Sequence, residues 1–197
     1  MRHRLIPTAL AAGASRFVEV PLSGTSTQVR AGTALGLVAG DPAAIADAAA
    51  VLDVICPRRF VVGSAGAAAR AKLAINLVLQ INRGALAEGI AFAERLGIAA
   101  PAFLELLKAS AAYSAVMETK GRKMLDRDYA PESRLSQTLK DAELILDEAG
   151  QRGLHLPMMS TQAALLRAAI ALEGPDSDSA AVIEAVRPSR DRSRDGR

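Results

Sequence analysis

Between Gly66 and Leu96 the chain runs for about thirty residues without a proline and with apolar side chains on nearly every turn, roughly 45 Å of helix at 1.5 Å per residue. So long a helix predicts the central axle of a helical domain, with Gly97 as its stop. Lys72 and Asn76 lie within it, four residues apart and therefore one above the other on one face. An ammonium group above a carboxamide suits the holding of an oxygen. A lysine in such apolar surroundings either reaches water along its stem or titrates at lower pH because burial disfavours its charge. The second case makes it a proton donor and acceptor near neutrality. Lys72, Asn76, Gln80 and Arg83 follow at steps of four, four and three, which is also how a solvent-facing stripe reads. Spacing alone leaves both readings open.

The chain's 197 residues, half of them hydrophobic, suffice for one large domain or two small ones without covalent staples. The single cysteine, Cys56, excludes an intrachain disulfide and any cysteine-clustered zinc site, and reads as a small buried apolar residue. With His3 and His155 the only histidines, no metal centre is expected. The formal charge is +3, but residues 187 to 197 hold five arginines and two aspartates, an excess of three, so the body is neutral. An Arg/Ser/Asp/Gly tail over 187–197 cannot bury a core and predicts a solvated, disordered terminus rather than a nucleic-acid arm. Only 3% of residues are aromatic, which leaves few platforms for base stacking. No apolar run reaches the ~20 residues needed to span a bilayer. The start, a basic Met-Arg-His-Arg followed by apolar Leu5 to Ala12, imitates a short signal peptide but contains Pro7 and runs into a strand pattern. A cytoplasmic protein without nucleic-acid or membrane partners is the expectation.

Strands are predicted at Phe17 to Leu22, Ala34 to Ala39 and Arg59 to Val62 from their β-branched and aromatic content. Gly40-Asp41-Pro42 supplies a capping aspartate and a first-turn proline for an alanine-rich helical segment up to Ile55. Beyond Gly66 the strand signal disappears. Helices are predicted at about Ala67 to Leu96, Pro101 to Ala109, Ser114 to Leu125, Leu135 to Ala149 and Pro157 to Leu172. The fold class is therefore an α/β piece over residues 1–63 followed by an all-helical domain over 64–186 built on the long helix.

Two further segments carry candidate chemistry. Ser23-Gly24-Thr25-Ser26-Thr27, after the first strand, reads as a loop rich in hydroxyls and freed N–H groups, able to receive a carboxylate. It reads equally as an ordinary hydrophilic turn. Thr138-Leu139-Lys140-Asp141 lies early in a helix, with Lys140 off its apolar line and so placed like a surface lysine.

The order of these pieces resembles the β-hydroxyacid dehydrogenase family, which includes 3-hydroxyisobutyrate dehydrogenase and tartronate semialdehyde or glyoxylate reductases. The resemblance covers residues 4 to 186. It rests on Phe17-Val-Glu-Val-Pro-Leu-Ser23-Gly24 with Ala31-Gly32-Thr33, on Gly40-Asp41-Pro42, on Gly66 with Lys72 and Asn76, on Ala85-Leu-Ala-Glu88, and on Leu139-Lys140-Asp141. It implies that 1–63 is the last part of a Rossmann-type nucleotide-binding domain and that NAD or NADP is the cofactor. By the same resemblance Lys72 is the general acid/base, Asn76 holds the reacting oxygen, Ser23, Gly24 and Thr25 bind the carboxylate of a small substrate, and Lys140 lies by the cofactor. It also implies a homo-oligomer formed through the helical domain. Enzymes of this family open with a Gly-x-Gly-x-x-Gly turn that cradles the dinucleotide pyrophosphate, and this chain has none. A fragment with impaired cofactor binding is therefore the expectation, with a non-catalytic helical dimerisation module as the alternative. Thr25 replaces the second glycine of the family's loop, and Ser133 stands where an aromatic residue is common.

Overall fold

The computed structural model describes residues 17–187. The apolar stretch Leu5 to Ala12 and the arginine-rich stretch past Arg187 lie outside the described residues. The chain forms two compact units, one ending at Ile75 and the other beginning at Asn76.

The first unit is built on one small sheet. Its middle strand, β3 (Leu35–Gly40), pairs on one side with a single extended edge segment that is regular in two short pieces, β1 (Val18–Glu19) and β2 (Leu22–Ser23). Both run antiparallel to β3, Val18 opposite Gly40 and Ser23 opposite Leu35. Pro21 separates them. It has no N–H to give the ladder and so belongs at an edge, while its carbonyl still accepts from Leu37 N at 3.1 Å. On the other side β4 (Arg59–Gly63) pairs parallel to β3.

The run Leu-Val-Ala within β3 is apolar at every position because both faces of the strand are covered. Leu37 and Ala39 pack against Ala68, Ala71 and Ile75, and Val38 packs against Leu52 and Cys56. Leu52 lies on a helical pair, α2 (Pro42–Asp47) and α3 (Ala49–Ile55), preceded in the chain by α1 (Ser26–Arg30). Asp41 starts α2 as predicted, its Oδ1 accepting from Ala43 N at 2.9 Å and Ala44 N at 3.2 Å. Cys56 is fully buried. A Cβ at Gly36 would lie 2.7 Å from its Sγ, so glycine is what allows the strand to approach it.

The long helix is α4 (Ala67–Arg95), and the division between the units falls inside it. The second unit continues with α5 (Ala100–Ala109), a π-helical turn at Met117–Gly121 running into α6 (Arg122–Asp126), then α7 (Leu135–Gly150), α8 (Pro157–Glu173) and a 3-10 segment, Ser179–Ala185. Its interior holds Ile90, Met124, Leu135, Met159, Leu166 and Ile183, all essentially without solvent exposure.

Three sequence expectations need correction. The helix expected from Ser114 to Leu125 is instead the π turn followed by five α-helical residues, at a point where a Cβ on Gly121 would lie 2.7 Å from Leu104 Cδ1. The loop expected through Thr27 is a helix from Ser26 onward. Arg187, expected to begin a solvated tail, is held by Glu94 through Nη2 at 2.7 Å and Nε at 3.1 Å, and by Glu184 through Nη1 at 3.1 Å. A guanidinium fork bonded on several sides is ordered by those bonds whatever its neighbours in sequence suggest. No helix among the described residues is long and apolar enough to cross a membrane.

Candidate active site

Lys72 lies in the second turn of α4 and is half-buried, next in the chain to Ala71, which packs on the sheet. Its Nζ donates to the main-chain oxygen of Leu22, the residue before Ser23. The lysine is thus directed to the end of the edge strand, onto a main-chain carbonyl.

The start of α4 is held by a residue that the sequence reading passed over. The first turn of α4 contains no acidic residue of its own. Glu19, from β1, takes that role: Oε2 accepts from Gly66 N at 2.8 Å and Oε1 from Ala69 N at 2.9 Å. A carboxylate on the first free N–H groups of a helix makes charge-assisted bonds and meets the positive end of the helix dipole. Gly66 has φ of 87°, a left-handed backbone that glycine adopts without strain. The signal in the sequence was a lone acid inside Phe-Val-Glu-Val together with a helix lacking an acid of its own.

Ser23, Gly24 and Thr25 come where expected in the chain but not as a free loop. Thr25 is the N-cap of α1: its N–H donates to Gln28 Oε1 at 2.8 Å and its Oγ1 accepts from Gln28 N at 3.2 Å. This is a capping box with glutamine in the third helical position. The N–H expected to await a carboxylate therefore already has an acceptor, and a carboxylate oxygen binding there would replace the amide oxygen of Gln28. A Cβ on Gly24 would lie 3.0 Å from Ala34 Cβ and 3.0 Å from Gln28 Oε1, so a larger residue would crowd the turn.

Asn76 is half-buried, and its Nδ2 reaches Asp141 Oδ2 in a long hydrogen bond of 3.5 Å. Asp141 Oδ1 also accepts from Gln137 Nε2 at 3.0 Å. Of the Lys140-Asp141 pair on α7, it is the aspartate that meets Asn76, while Lys140 is exposed.

The stripe that begins with Lys72 does not stay at the surface. Gln80 and Arg83 are buried, which rules out a continuous solvated face. Burial pushes Arg83 down to about 10, against the opposing pull of Asp178. Beside it Lys120, from the π turn, pairs with the fully buried Asp178 at 2.8 and 2.9 Å. Ser133 belongs to this structural network: its N–H donates to Asp178 Oδ2 at 3.0 Å and its hydroxyl meets Ser179 Oγ at 2.7 Å. Among the described residues no group of three His, Cys, Asp or Glu side chains could hold a metal ion.

Residues 66–186 match the family described as the NAD-binding domain of NADP-dependent 3-hydroxyisobutyrate dehydrogenase. The chain belongs to this family of oxidoreductases. It is 30% identical to glyoxylate/succinic semialdehyde reductase 1 of Arabidopsis thaliana over 94% of its own length and 64% of that protein's. It is 26% identical to 2-hydroxy-3-oxopropionate reductase of Escherichia coli, over 86% of its own length and 58% of that protein's. Among solved structures, 3-hydroxyisobutyrate dehydrogenase from Salmonella typhimurium superposes with a TM-score of 0.83 at 26% identity, covering 91% of this chain and 64% of that one. The chain thus spans less than two thirds of the length of each of these relatives.

Proposed function

We propose that this chain carries the substrate and proton-transfer half of an NAD(P)-dependent oxidoreductase that interconverts a small β-hydroxyacid and its semialdehyde. The observation that carries this reading is the seat of Lys72, its ammonium group on the Leu22 carbonyl beside Ser23. The reductases it is similar to are named for glyoxylate, succinic semialdehyde and 2-hydroxy-3-oxopropionate, all small carboxylated carbonyl compounds.

In this reading Lys72 gives a proton to the substrate's carbonyl oxygen during reduction and takes the hydroxyl proton during oxidation. The Leu22 carbonyl holds Nζ in place between those events. Asn76, one turn further along the helix, donates to the same oxygen through the Nδ2 proton not directed at Asp141. Ser23 and the Gly24-Thr25 backbone receive the substrate carboxylate, which takes over the acceptor position of Gln28 Oε1. Holding both ends of a short substrate fixes its reacting carbon, and such positioning is worth up to several kcal/mol of barrier. When bound, the nicotinamide supplies or receives the hydride. Lys140 is the cofactor contact in this reading.

The residues that meet the substrate end are present here, but the glycine turn that would cradle a pyrophosphate is not in this sequence. We assign residues 1–63 to a Rossmann-type domain and 64–186 to a substrate and oligomerisation domain centred on α4, in a cytoplasmic enzyme. The test joins this chain to the part of the Salmonella dehydrogenase that it does not cover and measures NAD(P)H-dependent reduction of succinic semialdehyde, glyoxylate and 2-hydroxy-3-oxopropionate. Reduction of at least one that disappears in Lys72→Met supports the reading. Turnover unaffected by Lys72→Met overturns it.

A second reading rests on the apolar side chains left on the outer surface of the helical unit, among them Phe92 at 65% exposure and Met158 at 63%. It makes the chain a non-catalytic helical dimerisation module, and light scattering that finds a monomer disposes of it.

A further inference from the structure

We propose that the helical unit holds a small monovalent anion of halide size in its interior, at Arg83. Arg83 lies on α4 with 5% of its surface exposed, and its Nε and Nη1 have no hydrogen-bond acceptor among the described residues. A guanidinium does not escape burial by losing its proton at neutral pH, so a full positive charge sits in the core.

Its surroundings do not balance it. Lys120 adds a second buried cation, and the one fully buried carboxylate nearby, Asp178, is fully engaged. Oδ1 takes Lys120 Nζ at 2.8 Å and Ala180 N at 2.9 Å. Oδ2 takes Lys120 Nζ at 2.9 Å, Glu132 N at 2.9 Å and Ser133 N at 3.0 Å. Five contacts on two oxygens use the roughly four lone-pair directions of a carboxylate and leave none for Arg83. Glu132, the other acid near the pair, reaches Lys120 at 3.8 Å from a largely exposed position.

Two donor atoms without an acceptor on a buried positive charge call for a ligand that only accepts, which is an anion and not a cation. The near-complete burial of the guanidinium restricts the ligand to a single small ion.

The test is thermal melting of the whole chain at constant ionic strength while gluconate, too bulky to enter, is replaced by chloride. In the wild type the midpoint rises by about 2–4 °C and saturates once chloride is several times its dissociation constant. Arg83→Met keeps the side-chain length and removes the charge, and its midpoint does not respond to chloride. Bromide soaked into wild-type crystals gives an anomalous peak in contact with Arg83 Nε or Nη1, a readout that holds even if the variant fails to fold. A wild-type midpoint independent of chloride, an equal chloride response in Arg83→Met, or no bromide at Arg83 overturns the proposal.

Discussion

Glu19 Oε2 accepts a hydrogen bond from Gly66 N at 2.8 Å, so a residue on the edge strand holds the first turn of the helix that carries Lys72. The same carboxylate takes Ala69 N at 2.9 Å, which fixes the helix against both sliding and rotation. Glu19→Ala removes two charge-assisted bonds and is expected to cost about 1.5–3 kcal/mol in urea unfolding. Glu19→Gln, which keeps one acceptor oxygen, recovers part of that loss.

Lys72 is the residue on which the proposed chemistry depends. In the joined chain, Lys72→Met is expected to lower kcat by about 100-fold or more, the usual worth of general acid–base catalysis. Lys72→Arg retains the cation but not the ability to lose its proton, and is expected to be nearly as impaired in the oxidative direction. Steady-state rates in both directions check this.

In the proposed reading Asp141 acts on the site through Asn76, which it meets at 3.5 Å. Asp141→Ala leaves the Asn76 amide free to turn. The expected outcome is a fall in kcat with little change in substrate KM, because the orientation of a donor to the reacting oxygen matters most as charge develops there. A change confined to KM would show that Asp141 serves binding instead.

The Lys120–Asp178 pair makes a pH prediction. Burial alone would raise the Asp178 carboxyl, but Lys120 and the N–H groups of Ala180, Ser133 and Glu132 outweigh it and hold the group below its ordinary 3.8. A depressed folded-state value contributes stability that is present above the unfolded value and is lost as pH falls through the folded one. Acid unfolding monitored by circular dichroism should therefore steepen below pH 3.8. Asp178→Asn should flatten that region and cost about 3–5 kcal/mol at neutral pH, since it leaves the buried Lys120 charge with only the 3.8 Å contact to Glu132.

Gly84 lies in the middle of α4, where alanine would by propensity add about 1 kcal/mol of helix stability. A Cβ there would collide with Gln162 Oε1. Gly84→Ala is therefore expected to destabilise by about 1–3 kcal/mol. Adding Gln162→Ala should recover most of the loss in a double-mutant cycle.

Local features were legible where one segment satisfied its own needs. Asp41-Pro42 starts a helix because a carboxylate two and three residues before orphan N–H groups can cap them wherever the segment goes. The four-residue spacing of Lys72 and Asn76 likewise follows from the helix itself. The capping box of Thr25 and Gln28 was also local, but the surrounding serines, glycine and threonines read more strongly as a loop. The fates of Gln80 and Arg83 were not legible, because a polar stripe of that spacing is identical on a wet face and on one covered by a neighbouring helix.

The one-dimensional order of residues was sufficient to define the strands, the starts of α2, α4, α7 and α8, the neutral body and the family, because periodicity and capping are satisfied within a few turns of chain. Tertiary structure alone decided that Glu19 would hold a helix 47 residues away and that Lys120 would meet Asp178 at a separation of 58. It also decided that Arg83 would be buried beside that pair. Those outcomes follow from which surfaces exclude water from one another, and a buried charge takes its partners from whatever the fold brings within reach rather than from its neighbours in sequence.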